Sequence, residues 1–143
     1  MSKFLKQKNK GFTLVETLVA ISIFSVSILA LMSVLASGIS NTNYAKRKLA
    51  AAYLAQEGIE CIRNKRDNYV LYPDSTHDWS KFVALNVNSI TCPSIDSGFT
   101  RTISKVGVGA SPFDEVKIIS DVFWTQGSGT YHIIFSGNLF NWY

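Results

Sequence analysis

The sequence has few prolines and cysteines, and a long part of its first half has no charge. Its three prolines all lie after residue 72, so no proline interrupts a helix before that point. Its two cysteines, Cys61 and Cys92, allow one disulfide at most. Residues 17–44 contain no charged side chain. Since about 20 apolar residues cross a hydrocarbon core as a helix, residues 10–36 are long enough to span a membrane.

The sequence also lacks the motifs of common enzyme and metal sites. It contains no phosphate-binding glycine loop and no Gly-x-Ser-x-Gly element. Asp74, His77 and Asp78 lie close together, but their spacing matches neither a calcium loop nor a zinc motif, which favours a solvated loop. His132 has no nucleophile motif nearby, which favours a packed or edge histidine. We therefore expect no enzyme, no cofactor and no metal.

The net charge of +4 is a property of the amino end. Residues 1–11 contain no acid, and the charge comes from Lys3, Lys6, Lys8 and Lys10. The remainder is neutral, which is not a nucleic-acid signature. Because lysine-rich flanks stay cytoplasmic, we expect the amino end inside and the chain after about residue 38 outside. The basic residues 46–48 on the far side mildly oppose this orientation.

Three interpretations of residues 1–36 compete. The first is a secretory signal cleaved before Ser37, and the second is an uncleaved signal-anchor helix. The third is cleavage between Gly11 and Phe12, with residues 12–36 kept as a helix that polymerises. The apolar run is long for a secretory signal, and Glu16 lies where apolar character should begin.

Residues 11–16 have the sequence Gly-Phe-Thr-Leu-Val-Glu, after a lysine-containing leader and before an apolar helix. This arrangement resembles the prepilin signature of type IV pilins and type II secretion pseudopilins. The resemblance implies cleavage after Gly11 by a membrane-embedded prepilin peptidase and N-methylation of Phe12. Glu16 then becomes the fifth residue of the mature chain, where the family keeps a glutamate. The expected divisions are a leader at 1–11, a membrane and polymerisation half at 12–36, and an exported domain at 37–143.

The physical chemistry of Glu16 allows two roles. A carboxylate in or near hydrocarbon is costly without a partner. The free amine of Phe12 on a neighbouring subunit would be such a partner in a filament. Alternatively, Glu16 lies in the headgroup layer at the end of the span.

Helical periodicity continues beyond the membrane. Apolar residues recur at three- and four-residue intervals, at Ala45, Leu49, Ala52, Tyr53, Ile59 and Ile62. This pattern predicts one helix over residues 12–64, with poor helix formers at 38–43. Gly58 indicates either close approach of a sheet or a tolerated helix glycine.

Strand patterns dominate the carboxyl-terminal part. Residues 69–93 are a connecting region with a short strand predicted at 81–87. Residues 99–106, 115–124 and 130–136 are predicted strands, with a hairpin turn at 126–129. Together with the helix they predict an α+β fold in which a small antiparallel sheet covers the apolar stripe of the long helix. This arrangement resembles the pilin globular domain, so the expected fold is pilin-like.

Cys61 and Cys92 are either two buried thiols or one bridge between helix and sheet. An exported location favours oxidation. A bridge closing a loop of about 32 residues would stabilise the domain by roughly 3 kcal/mol in the chain-entropy model.

The expected function is a structural minor subunit of a type IV pilus or type II secretion-like pseudopilus, since residues 51–66 and 139–142 also resemble minor pilins. Its expected partners are other pilin or pseudopilin subunits, prepilin peptidase, a membrane assembly platform and cytoplasmic membrane lipid. It would be a single-pass cytoplasmic membrane protein that later enters an extracytoplasmic filament. The alternative is a ligand- or DNA-binding tip component of a pilus or competence filament. That component would use an exposed aromatic or basic patch, drawn from Trp79, Trp124, Trp142 and Tyr143. A third alternative is a soluble secreted protein.

Overall fold

The computed structural model describes residues 11–95, 98–109 and 113–142. The elements follow the order α1 (Leu14–Leu71), α2 (Trp79–Ala84), a 3-10 helix (Val87–Ser89), β1 (Phe99–Val108), β2 (Glu115–Gln126) and β3 (Gly129–Phe140). The chain divides into two compact units between Thr42 and Asn43. The fold is α+β, with the long amino-terminal helix packed against a three-stranded antiparallel sheet, as predicted.

The described part of the first unit comprises residues 11–13 and the amino-terminal part of α1. Its described side chains are exposed, and α1 is long and apolar enough to cross a membrane. Ser22, Ser25 and Ser27 each donate their hydroxyl to the carbonyl four residues earlier, at 2.8 Å. These bonds satisfy the hydroxyl donors within the helix, which lowers the cost of placing serine in hydrocarbon.

The second unit buries one face of its sheet against α1. The strand order is β1-β2-β3, and both pairings are antiparallel. Alternate residues of β2 are buried: Val116, Ile118, Ser120, Val122 and Trp124. The facing side chains of α1 are Ala51, Ala55, Ile59 and Ile62. The sheet therefore packs on a helix face that has small side chains at one end and branched side chains at the other.

Gly58 marks the closest approach of helix and sheet. A Cβ there would lie 2.6 Å from Ser120 Oγ and 3.0 Å from Arg101 Cδ. Since real Cβ atoms essentially never come as close as 2.6 Å to another heavy atom, a side chain at this position would force Ser120, Arg101 or the strands that carry them to shift. Of the two sequence interpretations of Gly58, the structure shows the close approach.

The sheet was predicted to cover the apolar stripe of the helix. This prediction is correct at Ile59 and Ile62, which are buried, but wrong at three residues that are exposed, Ala45, Leu49 and Tyr53. Leu49 is 56% exposed and Tyr53 is 63% exposed. The helix is apolar on more than one side, so periodicity alone did not show which side the sheet covers. The sheet covers the side with small residues because only that side admits the close contact at Gly58.

The predicted end of the helix at residue 64 is also wrong, because α1 continues to Leu71. The buried Arg66 explains the extension. Its guanidinium donates to the carboxylate of Asp67 and to the carbonyl of Phe140, and it lies 4.3 Å from the ring centre of Trp142. A polar segment thus stays helical because the last strand supplies partners for its arginine.

The short strand predicted at 81–87 is absent, and α2 and the 3-10 helix occupy this region instead. Asp78 caps α2 by accepting the amide of Lys81 at 2.7 Å, and Phe82 is fully buried. The capping side chain of Asp78 and the burial of Phe82 favour a helical turn over an extended strand at the edge of the sheet. The other three predicted strands are confirmed and run beyond their predicted ends.

The second unit contains a disulfide between Cys61 and Cys92, with their Cα atoms 5.8 Å apart. It joins α1 to the segment that follows the 3-10 helix. In the chain-entropy model, closing a loop of this size stabilises a domain by about 3 to 4 kcal/mol.

Candidate assembly site

The candidate site begins at the first turn of α1. Gly11 and Phe12 precede the helix, which starts at Leu14. The oxygen of the Thr13 side chain accepts the amide of Glu16 at 3.3 Å, and the carbonyl of Thr13 accepts the amide of Thr17 at 3.2 Å. Thr13 is therefore the cap of α1, and the Gly11–Phe12 bond lies in non-helical backbone ahead of it.

The side chains of Phe12 and Glu16 at this turn are exposed. Phe12 is 82% exposed, and a Cβ at Gly11 would meet nothing within 4 Å. Glu16 is exposed, and among the described residues its carboxylate has no ion-pair partner. An acid in the first turn is favourable beside the helix amino end, so Glu16 also suits the helix locally. A cation from another molecule could reach both the carboxylate and the open peptide segment.

A second exposed feature lies on α1 within the second unit. Ala45, Leu49 and Tyr53 follow one another at four-residue spacing, which places them on one face of the helix. All three are exposed. We call these three residues the outer ridge. Their apolar spacing is evident in the sequence, but it predicted a face covered by the sheet, and the three side chains are not covered.

The other polar residues singled out from the sequence have local structural roles. Asp74 accepts the amide of Thr76 at 2.6 Å and contacts His77 Nδ1 at 2.9 Å. Hydrogen bonds from Thr76 and His77 hold the pKa of Asp74 well below its usual range. Bonds from Ser80 and Lys81 likewise lower the pKa of the capping Asp78. These three acidic and histidine side chains, at 74, 77 and 78, thus organise a turn and a helix cap.

His132 lies on the outer face of the sheet. Its ring stacks on Phe123 with centres 5.4 Å apart, and its Nδ1 lies 3.2 Å from the carboxylate of Asp121. Within the described ranges, no group of three or more His, Cys, Asp or Glu residues could hold a metal. The arrangement is an exposed cross-strand pair.

The aromatic patch considered for a binding component does not form from its predicted members. Trp124 is only 3% exposed, and Trp79 is half-buried and donates to the carbonyl of Phe113. Trp142 is exposed beside Arg66. Tyr143 lies outside the described residues.

The sequence pattern did not predict that two arginine side chains are buried, those of Arg66 and Arg101. Arg101 donates to the carbonyls of Leu54 and Pro93 and to the carboxylate of Glu57. The alternation of residues 99–106 did place Arg101 beside Phe99 on one face. That pattern was the available signal that this arginine points to the core.

Comparison with known proteins bears on the amino-terminal region. Residues 6–40 match the family described as the prokaryotic N-terminal methylation motif. No curated protein and no solved structure matches the chain. The motif supports a pilin-like substrate of prepilin peptidase, and it implies assembly with other pilin subunits. Its family is structural and not enzymatic, and together with the apolar α1 it fits a single-pass, membrane-anchored protein. Residues 6–40 therefore carry the prokaryotic N-terminal methylation motif, the type IV pilin signal, which is consistent with a type IV prepilin or pseudopilin.

Proposed function

We propose that the chain is a structural minor subunit of a type IV pilus or a type II secretion-like pseudopilus. Prepilin peptidase cleaves it after Gly11, the new Phe12 amine is methylated, and α1 then packs among the helices of other subunits. The observation that carries this proposal is the exposure of α1. Apolar side chains are uncovered throughout the first unit and again on the outer ridge.

The geometry of the first turn supports processing at Gly11. A peptidase must bind its target bond in an accessible backbone, and a helical bond is already engaged in hydrogen bonds. The Gly11–Phe12 bond precedes the Thr13 cap, and an added Cβ at Gly11 would lie more than 4 Å from other atoms of the described residues, apart from its chain neighbours. Lysine-rich residues 1–10 favour a cytoplasmic position for this bond.

The exposure of Glu16 supports assembly by charge pairing. In a lipid environment an isolated carboxylate costs about 3 kcal/mol at the bilayer centre on insertion scales, so a partner is favoured. Cleavage after Gly11 creates a cation at Phe12 on every mature subunit. A staggered neighbour can bring that amine to Glu16, which neutralises both charges.

The outer ridge supports helix packing beyond the membrane. Leu49 and Tyr53 are large apolar side chains in a unit that water surrounds until assembly, and covering them removes apolar area from water. The alternative of a ligand-binding tip with an aromatic patch has no such support, because Trp79 and Trp124 do not form an exposed patch.

Site-specific photocrosslinking tests this assignment on the full chain in its native cells. We expect Tyr53→p-benzoylphenylalanine to give crosslinks to other pilin subunits in intact filaments. Tyr72→p-benzoylphenylalanine is the matched control, because Tyr72 is a tyrosine of similar exposure, 74% against 63%, just beyond the end of α1. Filaments that contain the Tyr53 variant but yield no crosslinked pilin subunit would contradict the proposal.

A further inference from the structure

A concentrated positive charge lies at one end of the second unit. Lys46, Arg47 and Lys48 are consecutive and exposed. We call them the basal cations. Among the described residues, none of the three takes part in an ion pair.

No acid in the described part of the chain pairs with the basal cations. In the chain, no acidic residue occurs between Glu16 and Glu57. Arg47 donates to the carbonyl of Thr125 at 2.9 Å, which ties it to the end of β2. The nearest acid along that strand, Asp121, contacts His132 instead. The basal cations are thus exposed, and the bond from Arg47 to the Thr125 carbonyl does not neutralise their charge.

Aromatic side chains lie at the same end of the unit. The ring of Tyr44 packs against Tyr131 with centres 5.1 Å apart and against Trp124 with centres 6.2 Å apart. Tyrosine and tryptophan are enriched where proteins meet the membrane interface, since their rings are apolar and carry one polar atom.

Chain connectivity keeps the basal cations near the membrane span. Nine residues separate Ala36, the last residue of the proposed span, from Lys46. Even fully extended, that segment limits the separation to about 35 Å, and as a helix it covers about 15 Å. A lysine side chain can reach back further toward a lipid headgroup. The orientation of the span does not explain the basal cations, since lysine and arginine are normally enriched on the cytoplasmic side of a membrane helix and these residues lie on the proposed exported side.

We propose that Lys46, Arg47 and Lys48 bind the anionic phospholipid headgroups of the membrane surface from which α1 emerges. The contact holds the unassembled subunit at the bilayer and is given up when the subunit enters a filament. This inference rests on the proposed membrane anchoring of residues 12–36. It adds a specific partner, an acidic lipid surface, to that function.

Lysine acetylation of the full chain in lipid nanodiscs tests the inference. One set of discs contains phosphatidylcholine alone, and the other contains about one-third phosphatidylglycerol. A water-soluble acetylating reagent is added, and mass spectrometry gives the modified fraction at each lysine. We expect acetylation of Lys46 and Lys48 to fall about fivefold in the anionic discs and to recover at high salt. The exposed Lys81 and Lys117 are internal controls that we expect to react equally in both discs.

Three outcomes would overturn the inference. One is a fall in acetylation of Lys46 and Lys48, from phosphatidylcholine discs to anionic discs, that is no larger than the fall at Lys117. Another is protection of these lysines by added duplex DNA without any effect of phosphatidylglycerol, which would point to nucleic acid. The third is failure of the chain to enter either disc, which would remove the proposed anchoring as well. Disc incorporation is measured separately, so this failure is distinguishable from loss of the lipid contact alone.

Discussion

Glu16→Ala is expected to remove the protein from sheared filaments while its amount in the membrane stays unchanged. The substitution deletes the carboxylate that would pair with the Phe12 amine of a neighbour. Loss of even about 1.4 kcal/mol in that contact lowers the association constant tenfold. We therefore expect filament content to fall at least about tenfold, measured by immunoblot of sheared and membrane fractions. Insertion is retained because residues 17–44, which carry the apolar character, are not altered.

Three control variants separate the charge from its local effect on the helix. Glu16→Asp keeps the carboxylate and should retain most incorporation, whereas Glu16→Gln keeps the size and should behave like Glu16→Ala. Thr13→Ala removes the oxygen that accepts the Glu16 amide, at a cost of about 1 kcal/mol to the helix start. We expect Thr13→Ala to enter filaments. Entry of Glu16→Ala and Glu16→Gln into filaments at the normal level would contradict the proposed pairing of the Glu16 carboxylate with the Phe12 amine of a neighbour.

Gly58→Leu is expected to cause a large loss of stability in the second unit. The new side chain would start 2.6 Å from Ser120 Oγ and 3.0 Å from Arg101 Cδ, so the sheet must separate from α1. Overpacking of this kind costs about 3 kcal/mol. For a domain of this size, that corresponds to a fall in melting temperature of at least about 10 °C. Tryptophan fluorescence of the detergent-solubilised full chain follows the transition.

Gly137→Ala is the matched control, because it lies at the same interface between helix and sheet. A Cβ there would meet Ile59 Cγ2 at 3.6 Å, an ordinary contact. We expect this variant to melt within a few degrees of the unaltered chain. Equal melting temperatures for Gly58→Leu and Gly137→Ala would show that the helix and sheet are not as close at Gly58 as the structure has them.

The parts of the fold that depend on local pattern could be predicted from the sequence. The turn at residues 126–129 and the alternation of the flanking strands are local signals, and the structure has both. Gly127 adopts a positive φ of 59°, which a glycine in a hairpin turn tolerates. The motif around Gly11 and Glu16 is likewise contained in a few consecutive residues.

The parts that depend on distant partners could not be predicted. The extension of α1 to Leu71 depends on Arg66 reaching the carbonyl of Phe140, 74 positions away. The choice of the buried helix face depends on contact between Gly58 and the sheet, while the outer ridge has an equally apolar spacing. The helical turn at Trp79–Ala84 depends on the cap at Asp78 and the burial of Phe82, neither of which a strand-like composition shows.

The first residue of the mature protein distinguishes processing after Gly11 from the other two interpretations of residues 1–36. Mass spectrometry of the protein recovered from its native membrane identifies the first residue and any added methyl group. We expect a chain that begins at Phe12 and carries one methyl group on its amine. A chain that begins at Ser37, or one that still begins at Met1 or Ser2, would contradict processing after Gly11 and the assembly role of Glu16 built upon it.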